Sequence, residues 1–129
     1  MKNAKTQFML FFATIGNFAG DSSDLRDLCL HSGAVEAIVH FANRASELPA
    51  LRIAAWVMHN LSRSKPAPKW QQVQPLLQWA CRFLLLTTDD EVIEKCCWAL
   101  SELSDLIPTV KVPEFATANI LSQLVGYCW

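Results

Sequence analysis

Apolar residues along the chain recur at helical rather than strand spacing. Ala50, Ala54, Val57, Met58 and Leu61 lie at i, i+4, i+7, i+8 and i+11, a stripe along one face of an α-helix. Val92, Cys96, Ala99, Leu100 and Leu103 repeat that stripe without a gap 42 residues later. A second helix pattern shares the offset: Val35, Ile38, Val39 and Ala42 correspond to Leu77, Ala80, Cys81 and Leu84, again 42 apart. An upstream copy, at a spacing of 43, places Phe11, Thr14, Ile15 and Phe18 where Ala54, Val57, Met58 and Leu61 fall. Off the shared face, Trp56 corresponds to Trp98, Asn17 to Asn60, and Asn60 to Glu102.

Two independent helices on one offset identify a stack of repeats, and a period near 42 with several helices per unit is the armadillo/HEAT signature. The predicted fold is all-α, an armadillo-repeat right-handed superhelix (α-solenoid) of about two and a half to three repeats. Helices are predicted over 7–19, 23–31, 34–45, 49–63, 70–74, 76–87, 90–104 and 114–126. They make a single domain over 1–129: a partial repeat 7–19, repeats 23–63 and 70–104, and a partial, degenerate repeat 105–129. Gly20 and Gly33 are placed to end helices in the left-handed conformation. Pro49 and Pro75 suit first helical turns, where a missing N–H costs nothing. Asp89, Asp90 and Glu91 put negative charge at a helix start, where the macrodipole favours it. Pro66-Ala67-Pro68 makes a stiff loop. The chain begins inside a unit and ends on Gly126-Tyr127-Cys128-Trp129. Neither end reads as a polar cap, so association through uncapped ends is expected, or membership of a longer stack.

Composition agrees with a binding module. Of 129 residues, 52% are hydrophobic and 18% charged, enough for a sizeable core or for apolar ends that a partner covers. A net charge of −1 gives no sign of nucleic acid or of an anionic membrane. The run Phe8–Ala19 after Lys2 and Lys5 imitates a secretory signal, but Gly16 and Asn17 interrupt it and the stretch fits a repeat helix. The five cysteines, at 29, 81, 96, 97 and 128, show no C-x-x-C spacing and read as small buried residues. His31 near Cys29, and His59 beside Asn60, lack a third ligand at metal spacing. No catalytic residue, metal or cofactor is expected, and the chain is not read as an enzyme.

The same residues resemble a known family. Ile15-Gly-Asn-Phe-Ala-Gly-Asp21 with Arg26-Asp27, Leu51–Arg63 with Lys65-Pro-Ala-Pro68, and Cys97-Trp-Ala-Leu-Ser101 with Leu103-Ser-Asp105 are similar to central repeats of importin-α, the nuclear-import adaptor. The resemblance runs from about residue 7 to 107 and fades beyond Pro108. It implies a groove, lined by the third helix of each repeat, that holds an extended Lys/Arg-rich nuclear localisation signal. An Asn amide both donates and accepts, so a row of them can fix a peptide backbone. An indole face takes the stem of a lysine and attracts its ammonium.

Carried over position by position, the resemblance implies three tiers. Trp56, Asn60 and Arg63 form an intact middle tier. Asn17 and Asp21 remain in the first, where the family's tryptophan is Ala13. Trp98 and Asp105 remain in the third, where Glu102 replaces a tyrosine and Lys95 an acidic residue. The implied partners are cargo proteins with basic localisation signals, and the implied localisation is cytoplasm and nucleus. The family's basic N-terminal segment has no match here, so importin-β recruitment is not expected. A degenerate armadillo scaffold that associates through its ends is the alternative.

Overall fold

The computed structural model describes residues 4–63 and 65–106, together with 122, 125 and 126. Among the described residues the regular elements are α-helices: α1 (Ala4–Asp21), α2 (Ser23–His31), α3 (Ala34–Arg44), α4 (Leu48–Ser62), α5 (Trp70–Leu86) and α6 (Asp90–Ser104). Local chemistry sets their ends. The Ser22 hydroxyl accepts from the Leu25 N–H at 3.1 Å and caps α2. The Asp89 carboxylate accepts from the Val92 N–H at 3.1 Å and caps α6, with Asp90 and Glu91 behind it in the first turn. Pro49 stands in the first turn of α4. Gly33, at φ 92°, makes the left-handed joint between α2 and α3 that a β-carbon would strain.

The helices stack as an armadillo α-solenoid. Helix α4 is the centre, flanked by α1 on one side and α6 on the other and backed by α3 and α5. Its predicted stripe is inside: Ala54, Val57, Met58 and Leu61 are fully buried and Ala50 nearly so. The register-equivalent Val92, Cys96, Ala99, Leu100 and Leu103 of α6 are buried too, in one cluster with Ile38 and Ala42 of α3 and Val73, Leu76 and Phe83 of α5. Each large side chain in that cluster contributes about 1.5–3 kcal/mol by leaving water.

Three expectations are corrected. The helices predicted over 70–74 and 76–87 are one helix, α5, with Pro75 inside it. Val73, Leu76, Ala80, Phe83 and Leu84 form one continuous buried stripe across the proline. Their combined burial outweighs the roughly 3 kcal/mol that an interior proline costs, and Pro75 itself faces solvent. Gly20 does not end α1, which runs helically through Asp21. The third copy of the stripe is not a core face either: α1 buries Phe12, Gly16 and Ala19 while Phe11, Thr14 and Phe18 are exposed. Of that stripe only Ile15, half-buried, packs against the core. The helix predicted over 114–126 and the partial repeat 105–129 fall largely outside the described residues.

Candidate functional site

Helices α1, α4 and α6 lie side by side and parallel. Contacts pair Gly16 with Asn60 and Gly20 with Arg63 across the first interface, and Arg52 with Asp89 and His59 with Trp98 across the second. The residues assigned by register lie on these three helices: Asn17 and Asp21 on α1, Trp56 and Asn60 on α4, Trp98 and Glu102 on α6. Arg63 and Asp105 stand just past the ends of α4 and α6.

The side chains differ in how they meet solvent. Trp98 is 52% exposed. Trp56 is half-buried against the core, its ring lying over Gly16 so closely that a β-carbon there would overlap it. Asn60 is only 4% exposed, and its amide donates to the Gly16 carbonyl oxygen at 2.9 Å. Asn17, Asp21 and Asp105 are exposed; Glu102, Lys95 and Ala13 are half-buried. Trp56, Asn60 and Arg63 are thus built into the α1–α4 interface.

Sequence reasoning missed two positions. Arg26 is fully buried: its Nη1 donates to the Arg63 carbonyl oxygen at 2.8 Å and its Nε and Nη2 donate to Asp27 Oδ1 at 3.0 and 2.8 Å. It ties α2 to the end of α4, where Arg63 in turn donates to the Gly20 carbonyl oxygen at 3.0 Å. No local signal distinguishes a buried arginine from a surface one. His59, 9% exposed, stacks on Trp98 with ring centroids 6.1 Å apart and planes 23° apart. Burial, with Arg63 and Lys95 adding to it against the opposing Glu94, pushes the His59 imidazole down to about 4, so it is neutral at neutral pH. A signal for it existed: His59 lies 43 residues after Gly16, on the repeat offset.

The thiols are tuned away from reactivity. Burial pushes Cys96 up to about 12 and Cys81 up to about 11, and it raises Cys29 and Cys97 as well. Nucleophilic thiols need the opposite shift. Among the described residues no group of three His, Cys, Asp or Glu side chains could hold a metal ion, and no helix is long and apolar enough to cross a membrane. Trp70 and Trp79 pack on the core, the latter with the Arg82 guanidinium 4.9 Å from its ring centroid. Cys128 and Trp129 lie outside the described residues.

Stacked parallel helices define the class: an armadillo-type α-solenoid segment. The chain is related to importin-α, being 45% identical to importin subunit alpha-2 of Arabidopsis thaliana over 111 residues, 86% of this chain and 20% of that protein. It is 44% identical to importin subunit alpha-1b of Oryza sativa subsp. japonica over 91 residues, 70% of this chain and 17% of that protein. Importin subunit alpha-3 of Arabidopsis thaliana is 44% identical over 100 residues, 78% of this chain and 18% of its own length. The chain thus spans about a fifth of the length of the relatives it matches. No protein-family model matches the chain.

Proposed function

We propose that the face formed by α1, α4 and α6 binds an extended Lys/Arg-rich peptide of the nuclear-localisation-signal class, and that the chain acts as a nuclear-import adaptor-like module moving between cytoplasm and nucleus. The observation that carries this is Trp98: a tryptophan 52% exposed, at the register of Trp56 on the adjacent parallel helix, supports a ligand-contact role over a core role. Trp98 and the outer part of Trp56 take lysine stems, at about 0.5–2 kcal/mol per contact. Asp21, Glu102 and Asp105 supply negative charge along the face, partly offset by Arg63 and Lys95. Asn17 and Asn60 hold the peptide backbone; one Asn60 N–H is spent on Gly16, and an Asn amide has a second N–H and a carbonyl oxygen. With one tryptophan position occupied by Ala13, affinity falls short of a groove with every tier filled. Titration of a fluorescent lysine-rich peptide, against an acidic peptide of the same length, tests the proposal. Saturable binding of the basic peptide alone, weakened by Asn60→Ala, is expected; no saturable binding overturns it.

The α1 stripe supports a second reading, a scaffold that associates through its open face. Phe8, Leu10 and Phe18 are each 51% exposed and Phe11 is 61% exposed, with Phe8 and Phe11 in edge contact. Exposed apolar side chains gathered on one helix mark a candidate association site. Light scattering of Phe11→Ser against wild type separates the two: this reading requires an oligomer that the substitution dissolves.

A further inference from the structure

The two tryptophans of the groove stand on different floors, and the internal repeat makes the floors equivalent. Trp56 and Trp98 are 42 residues apart; the residues beneath them on the preceding helix, Gly16 and His59, are 43 apart. Each interface therefore places the same pair of positions in contact, indole above and floor residue below. Over Gly16 nothing but backbone supports the ring, so Trp56 sinks onto α1 and packs against the core. Over His59 an imidazole fills that space, stacked at 6.1 Å and 23°, and Trp98 remains 52% exposed. Gly16 and His59 are both buried, so neither floor is itself a ligand contact.

We propose that His59 is a positioning residue for the groove: it fills the floor beneath Trp98, keeps that indole from sinking into the α4–α6 interface, and presents its outer face to a lysine stem. This rests on the peptide-binding function proposed above. The imidazole suits the role because it is flat, matching the indole face, and because it is neutral. A cationic floor would take the indole's attraction for positive charge from one side and repel a lysine ammonium arriving on the other. The three tiers are consequently unequal. The first lacks its indole at Ala13, the second has one drawn into an interface, and the third has one propped outward.

The test uses the full chain labelled with fluorotryptophan. Fluorine NMR follows the Trp98 signal, assigned by its loss in Trp98→Phe, and a soluble gadolinium chelate reports its exposure by broadening. His59→Ala empties the floor: the Trp98 signal is expected to broaden less, and affinity for the lysine-rich peptide to fall about 3–10-fold, the range of a weakened cation–π contact. His59→Gln refills the floor with a flat neutral group and is expected to restore both. Unchanged Trp98 broadening in His59→Ala overturns the proposal, as does a less exposed Trp98 with unchanged affinity. So does a folded His59→Gln that restores neither. A wild-type chain that binds no peptide overturns the groove function instead, and the fluorine signal then decides the role of His59 by itself.

Discussion

Asn60 donates its amide to the Gly16 carbonyl oxygen at 2.9 Å, so the side chain best suited to grip a peptide backbone already grips a helix backbone. The bond is one of a set. Gly16 and Gly20, one turn apart, offer bare helix surface, and onto it α4 lays Trp56, Asn60 and Arg63 at i, i+4 and i+7. A β-carbon at Gly20 would come within 2.8 Å of Asn60 Nδ2. The glycines thus let Trp56, Asn60 and Arg63 lie flat against the neighbouring helix, coupling the proposed binding face to the α1–α4 packing.

Gly16→Ala tests that coupling. The new methyl group meets the Trp56 ring, and overpacking of this kind costs about 1–3 kcal/mol. Alanine's better helix propensity returns about 1 kcal/mol, so the net effect is a modest loss in the urea midpoint. Because the ring must move, the near-ultraviolet dichroism of Trp56 is expected to change as well. A more stable variant with an unaltered aromatic spectrum would show that Trp56 does not rest on α1.

Arg26→Ala is expected to cost about 2–4 kcal/mol, measured by urea unfolding, because it empties a fully buried site and strands the Arg63 carbonyl oxygen. Arg26→Met keeps the packed stem and loses less. Equal losses in the two variants would place the whole effect in the polar contacts.

The imidazole of His59 makes stability depend on pH. Its folded-state value of about 4 lies below the ordinary 6.5, so the folded state resists protonation. Stability is complete above about pH 6.5 and falls as pH drops from there toward 4, by at most about 3 kcal/mol. Asp89 is held below the ordinary carboxylate range first by its hydrogen bond from Arg52. Thermal unfolding of wild type should therefore steepen between pH 6.5 and 4 while His59→Gln stays flatter. Parallel pH profiles would remove His59 as the cause.

Periodicity made the stack legible because a helix buries side chains at a fixed angular step, and Val57, Met58 and Leu61 obey it alongside Ala99, Leu100 and Leu103. It failed at α1, where Phe11 and Phe18 keep the pattern but not the partner, since burial depends on what lies opposite. Punctuation was legible at Gly33 and Asp89 and misleading at Gly20 and Pro75. A glycine can serve close packing as well as a turn, and a proline yields to a buried stripe that runs through it. Register placed Trp56 and Asn60 on α4 and Trp98 and Glu102 on α6, two helices that pack side by side. Their unequal depth was not legible, because it depends on the residue beneath each one across an interface.

That depth separates the two tryptophans experimentally. Trp56 packs on the core and over Gly16, so Trp56→Ala removes buried area and is expected to cost about 3–5 kcal/mol of stability. Trp98, half in solvent, gives up little burial, and Trp98→Ala is expected to leave the urea midpoint within about 1 kcal/mol of wild type. Peptide affinity should respond in the opposite order relative to stability. Loss of the Trp98 platform weakens a lysine-rich peptide by about 3–30-fold, the span of one cation–π contact with its stem burial. A lysine-to-arginine change in the peptide should alter this ratio, whereas replacing its basic residues with norleucine should abolish it. A Trp98→Ala chain that stays folded and binds as tightly as wild type would move the lysine site off α6 altogether.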